Sequence, residues 1–102
     1  MREYEVYVPL NDNDGRPIDP EKLRWLKRRL VLEFGGLTYF PQENEGVWKV
    51  GAFTFRDKVV ILRVLANDVE KAEAFLTALK EDVRRERQQA DVLIVSREVG
   101  TV

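Results

Sequence analysis

Three polar side chains in two apolar segments are the candidates for chemistry in this sequence. Arg63 interrupts the apolar run from Val59 to Leu65, and Glu5 and Tyr7 alternate with valines near the N-terminus. If the two segments are neighbouring strands, the alternation of side chains across a strand places all three groups on one face. A cross-strand ion pair between Glu5 and Arg63, beside Tyr7, would then neutralise a partly buried charge. The same groups could instead line an anion or substrate site.

The residue inventory limits the chemistry that this chain can perform. Its 102 residues include no Cys and no His. This excludes disulfides and thiolate catalysis, and it removes the commonest general base and metal ligand. Catalysis would have to use carboxylates, Lys, Tyr, Ser or Thr, or a borrowed cofactor. We therefore expect no metal and no cofactor, and we favour a non-catalytic domain over an enzyme.

One loop partly matches a calcium-binding pattern. Asp12, Asp14, Gly15 and Glu21 stand at EF-hand positions three, five, six and twelve if the loop is counted from Leu10. An EF-hand loop needs a carboxylate at its first position and a helix before it. Here Leu10 occupies that position and a predicted strand precedes it, so the pattern indicates a polar turn and no metal site.

The charge balance argues against nucleic acid as a partner. The chain has 17 basic and 18 acidic residues and a formal net charge of −1, whereas nucleic-acid binders use a basic excess to neutralise phosphates. Phe53 and Phe55 resemble the aromatic side chains on which RNA-recognition domains stack bases. RNA binding is therefore kept as a third hypothesis.

The hydropathy pattern predicts a cytoplasmic protein. No apolar run approaches the roughly 18 residues that a membrane-spanning helix needs. The first residues alternate like a strand and lack the apolar core of a signal peptide. We expect no membrane association.

The predicted first helix carries a second candidate surface. Trp25 and Leu32 lie seven residues apart on the side away from its apolar stripe, with Arg28 and Arg29 between them. Trp and Arg are enriched in the centres of protein interfaces, so this patch is a candidate contact site for a protein partner. The alternative is that Trp25 folds inward, under the loop at 10–18 or the segment at 42–52.

Hydrophobic periodicity predicts six elements in the order βαββαβ. Asp19 followed by Pro20 is a helix start, and Gly35 with Gly36 is a helix end. The predicted elements are a strand over 3–9, a helix over about 20–34, short β segments at 37–41 and 47–50 around a polar turn at 42–46, a strand over 53–65, a helix that begins after Asn67 or Asp68, and a last strand over 91–97.

This order predicts a single α+β domain over residues 1–102, with a ferredoxin-like antiparallel sheet and two helices on one face. The third and fourth strands are apolar in both phases, so Ile61 and part of the run 92–95 would lie on the sheet face without helices. A bare apolar face of this size is unusual. We expect a second copy of the chain to cover it as a homodimer. The alternative is that the C-terminal tail or the segment 37–52 folds over it.

The middle of the chain resembles small bacterial ferredoxin-like proteins. The resemblance lies in Phe34-Gly35-Gly36-Leu37-Thr38 followed by Gly46-Val47-Trp48. In those proteins the double glycine also ends the first helix, and the Trp lies on the β segment that follows. The resemblance implies the fold and carries no activity or catalytic residue to this chain.

These patterns favour a small non-catalytic binding or regulatory domain that acts as a homodimer through its open sheet face. The alternative is a small-molecule enzyme of the dimeric α+β barrel type. Its ligand would lie against the sheet, with Glu5, Tyr7 and Arg63 as the polar groups. RNA binding is the third hypothesis.

Overall fold

The computed structural model describes residues 1–12, 14–87 and 92–102. Its elements are β1 (Arg2–Pro9), α1 (Pro20–Phe34), β2 (Thr38–Val50), β3 (Phe53–Ala66), α2 (Val69–Arg87) and β4 (Leu93–Glu98). The four strands form one sheet in the order β2-β3-β1-β4, and every neighbouring pair is antiparallel. This is the predicted ferredoxin-like α+β fold, which is confirmed.

Helix α1 begins and ends where the sequence predicted. The Asp19 side chain accepts a hydrogen bond from the backbone N–H of Glu21 and caps the first turn. Gly35 ends the helix with φ 77°, a left-handed conformation that costs little without a Cβ. Between these ends, α1 buries Leu26 and Leu30.

Strand β2 differs from the prediction. Residues 42–46, predicted as a polar turn, belong to a continuous strand whose pairing with β3 shifts register between Phe40 and Asn44. The Asn44 amide donates to the carbonyl of Gln42 within this irregular stretch. The chain reverses instead at residues 51–52, where Gly51 has φ 61°. A polar stretch in an edge strand resembles a turn in sequence because its side chains remain in water on both sides.

Helix α2 packs beside α1 on the same side of the sheet. The Asp68 carboxylate accepts a hydrogen bond from the backbone N–H of Lys71 at 3.1 Å and caps the helix. The helix buries a stripe at three- and four-residue spacing: Ala72, Leu76, Leu79 and Val83. Across the described residues, no helix combines the length and apolar character that crossing a membrane requires.

The core lies between the two helices and one side of the sheet, which we call the helix face. Alternate strand residues reach it: Tyr4, Val6 and Val8 from β1, and Val60, Leu62 and Val64 from β3. Val92 and Ile94 also pack against this core, so Leu93 and Val95 point to the other side, the open face. The sequence left the facing of this strand undecided, since both of its phases are apolar.

Candidate functional site

The open face brings together the three polar residues that the sequence analysis singled out. Glu5 pairs with Arg63 across β1 and β3, and Tyr7 pairs with Ile61 two positions further along. The Arg63 guanidinium donates to a Glu5 carboxylate oxygen at 3.1 Å. The predicted cross-strand ion pair is therefore present.

Glu3 is the central residue of this group, and the sequence analysis missed it. Its residue surface is only 4 % exposed although it lies on the open face. Arg97 of β4 donates to one carboxylate oxygen at 2.6 Å, and Arg63 forms an ion pair with the other. The hydrogen bond from Arg97, followed by the charge of Arg63, holds the pKa of Glu3 below its ordinary value, although burial acts in the opposite direction.

We call Glu3, Glu5, Arg63 and Arg97 the ion cluster. Two carboxylates and two guanidinium groups give it no net charge, and the Arg63 guanidinium also lies 4.6 Å from the centre of the Phe40 ring. The carboxylates of the cluster are already engaged by guanidinium groups. This pairing suits a structural role better than proton transfer.

Apolar side chains surround the ion cluster. Leu65, Leu93 and Val95 are 44 %, 40 % and 37 % exposed, and we call them the apolar rim. Each of them lies opposite a β1 residue of the open face. Leu65 is opposite Glu3, Val95 is opposite Glu5, and Leu93 is opposite Tyr7. The open face is therefore a neutral polar centre with apolar edges.

The structure divides the surface predicted on the first helix. Trp25 is half-buried and packs against the core. Its position under the loop at 10–18 or the segment at 42–52 stays a prediction. Arg29 donates to the Asp82 carboxylate at 2.6 Å and ties α1 to α2. Arg29, and then Arg85, lower the pKa of Asp82 through their hydrogen bonds. Arg28 and Leu32 are exposed on the outer surface, Leu32 at 85 %.

A cavity of about 340 Å³ opens on the other side of the sheet, beside Trp25; we call it the α1 cavity. Three elements meet there: the end of β1, the first turns of α1 and the second half of α2. Its lining consists of Val8, Asp19, Glu21, Lys22, Trp25, Leu26 and Val83. Sequence analysis missed it because its residues lie up to 75 positions apart, and only the packing of both helices on β1 brings them together.

A hydrogen bond to α2 lies at the margin of the helix face. The Tyr4 hydroxyl donates to the Glu73 carboxylate at 3.1 Å, and Arg2 beside it donates to the Ser96 hydroxyl at 2.9 Å. Burial, followed by the hydrogen bond to Glu73, raises the pKa of Tyr4. The phenol therefore stays protonated and remains a donor. The hydrogen bond between Tyr4 and Glu73 orients α2 on the sheet.

Two solved structures of a phage SAM lyase have the same fold as this chain. Its complex with S-methyl-5'-thioadenosine superposes with a TM-score of 0.67 at 16 % identity, over 95 % of this chain and 80 % of that chain. The apo state gives a TM-score of 0.65 at 15 % identity, over 94 % of this chain and 78 % of that chain. No protein-family model matches the sequence, and no curated protein matches it.

Proposed function

We propose that this chain is a cytoplasmic small-molecule enzyme that binds S-adenosylmethionine (SAM) and cleaves it, releasing S-methyl-5'-thioadenosine. The observation that supports this proposal is the superposition on the phage SAM lyase, which extends over 95 % of this chain. Because one fold serves many activities, the residues must also suit the chemistry. The sequence analysis favoured a non-catalytic binding domain and gave a small-molecule enzyme as the alternative. The proposal follows the alternative.

The cleavage of a sulfonium compound suits a chain without His and Cys. The sulfur of SAM is positively charged, so when a C–S bond breaks the electron pair moves to sulfur and a neutral thioether leaves. If the carboxylate of the substrate attacks its own γ-carbon, a C–O bond forms as the C–S bond breaks. The products are then the thioether and a lactone, and no proton is transferred. The protein needs to hold the substrate folded and keep water out, without a general acid or base.

The test is a chromatographic assay of the purified chain with SAM. We expect S-methyl-5'-thioadenosine to accumulate in proportion to the amount of protein and above a protein-free incubation. S-adenosylhomocysteine, whose sulfur is uncharged, is the matched control and should remain intact. Calorimetry with S-methyl-5'-thioadenosine measures product binding separately. A chain that forms no product and binds neither compound would overturn the proposal.

A second candidate is the homodimeric binding domain, and the composition of the open face favours it. The ion cluster is neutral, so two copies related by a two-fold axis would meet without net repulsion, and the apolar rim would lose its contact with water. Light scattering should then give the mass of a dimer. Leu93→Arg should convert it to a monomer, whereas Leu32→Arg on α1 should leave the mass unchanged. A monomeric wild type would contradict this candidate.

A further inference from the structure

We infer that the α1 cavity is the binding site for the adenosyl group of SAM, an inference that rests on the proposed function and gives it a location. The cavity volume of about 340 Å³ lies within the range of sites that bury small molecules. Its lining combines one aromatic wall, an apolar floor and a charged rim. Each part fits one portion of the ligand.

The aromatic wall is Trp25. Its ring is half-buried, and the guanidinium carbon of Arg29 lies 5.1 Å from the ring centre. Arg29 is in turn held by the Asp82 carboxylate at 2.6 Å. The ring is therefore fixed by contacts between α1 and α2 before any ligand arrives. A purine stacks well on such a surface.

The apolar floor consists of Val8, Leu26 and Val83, one from each of the three elements that meet at the cavity. All three are at most 2 % exposed, so only a small part of each side chain reaches the cavity surface. An apolar floor suits the methylthio group, because this group forms no strong hydrogen bonds. It does not suit a phosphate, so the lining favours a nucleoside thioether over a nucleotide.

The charged rim consists of Asp19, Glu21 and Lys22. The Asp19 carboxylate is positioned by its hydrogen bond with the N–H of Glu21 at 2.9 Å, and such a carboxylate is a good acceptor for ribose hydroxyls. Arg24, which is not among the lining residues, pairs with Glu21, so the Asp19 carboxylate is the acidic group of the charged rim that would face a cationic ligand. SAM, with its sulfonium, ammonium and carboxylate, carries +1, whereas S-methyl-5'-thioadenosine is neutral. The Asp19 carboxylate therefore favours the substrate over the product, which assists product release.

Calorimetry with SAM and with S-methyl-5'-thioadenosine tests this assignment on four proteins. Relative to the wild type, Trp25→Ala should weaken binding of both compounds by about 10-fold or more, through the loss of stacking. Asp19→Asn keeps the helix cap but removes the charge and the second acceptor oxygen, so it should weaken the binding of SAM about 5-fold more than it weakens the binding of the neutral product. Asp68→Asn makes the same change at the cap of α2, outside this cavity, and should alter neither affinity.

A fluorescence measurement keeps the test valid if Trp25→Ala unfolds the chain. In a Trp48→Phe variant Trp25 is the remaining tryptophan, and its emission should change when S-methyl-5'-thioadenosine is added. If the wild type binds and cleaves SAM while the cavity variants keep wild-type affinity and Trp25 emission is unchanged, the assigned site is wrong and the proposed function stands. If the wild type neither binds nor cleaves SAM, both fall together.

Discussion

The two faces of the sheet achieve burial by different means. On the helix face, Val6 and Leu62 are fully buried among apolar side chains of the two helices. On the open face, Glu3 of the same strand as Val6 is almost as buried, but it is covered by two guanidinium groups. The alternation of side chains along a strand thus separates an apolar core from a charged cluster by the thickness of one sheet.

The two faces also differ in how strictly their contacts depend on the relative position of the side chains. Apolar packing is non-directional, so it accepts many arrangements of similar volume. The ion cluster needs Arg63 to reach Glu3 and Glu5 at once, and this requires the observed register of β1 against β3. A one-residue slip would move these charges into the core. The helix face thus buries the apolar side chains, and the ion cluster adds a directional requirement for the same register.

The largest expected effect compares two leucines of β3 on opposite faces. Leu62→Ala should lower the free energy of unfolding by about 2–5 kcal/mol, because it leaves a cavity in the packed core. Leu65→Ala, at a side chain that is 44 % exposed, should cost less than about 1 kcal/mol. Urea denaturation measures both. If both variants lose the same free energy of unfolding, the open face is packed as densely as the helix face. A second copy of the chain on the open face would have this effect.

An intermediate effect is expected from the carboxylate of the ion cluster. Glu3→Gln should lower the thermal midpoint at neutral pH, because Arg63 and Arg97 lose an anionic partner. Since the folded-state pKa of Glu3 is lowered, its stabilising contribution is present above its ordinary value of 4.5 and is lost as the pH falls through the lowered pKa. The midpoints of wild type and variant should therefore converge in acid.

The control for Glu3 is Glu43→Gln. Glu43 faces Lys58 at 3.6 Å in an exposed ion pair, with both side chains more than half exposed. Exposed pairs contribute little, so this variant should have nearly the wild-type midpoint at every pH. A pH dependence at Glu43 as large as that at Glu3 would contradict the distinction between a covered and an exposed pair.

The smallest expected effect tests the hydrogen bond at the margin of the helix face. Tyr4→Phe removes the hydroxyl that donates to Glu73, and it should cost about 1 kcal/mol in the free energy of unfolding. Tyr7→Phe makes the same change on the open face and should stay within about 0.5 kcal/mol. If the two variants lose equal stability, the Tyr4 hydroxyl does not orient α2 as described.

Local signals predicted the elements well because they act over a few residues. Asp19 with Pro20 marked the start of α1, and Gly35 marked its end, as the structure confirms. The turn predicted at 42–46 was wrong, because an exposed edge strand and a loop have the same polar composition. RNA binding through Phe53 and Phe55 stays a prediction, since these side chains lie outside the described part of the structure.

The candidate site was predicted in part. Alternation placed Glu5 and Arg63 on one face, and pairing between two predicted strands supplied their contact. The sequence also held a signal for Glu3 and Arg97 that the sequence analysis did not use. Glu3 lies in the same phase of β1 as Glu5, and Arg97 lies in the same phase of the last strand as Leu93 and Val95. The α1 cavity had no signal of this kind, since Val8, Trp25 and Val83 belong to three separate elements.

Apart from residues 42–46, the sequence by itself determined which segments form strands and helices, and which side chains share a face along each one, because these properties depend on periods of two and of 3.6 residues. Only the tertiary structure decided which phase of β4 faces the helices, since both phases are apolar and burial against α2 makes the choice. It also decided that a carboxylate near the N-terminus is covered by arginines of two other strands. Such contacts depend on strand order and register, which are properties of the assembled sheet.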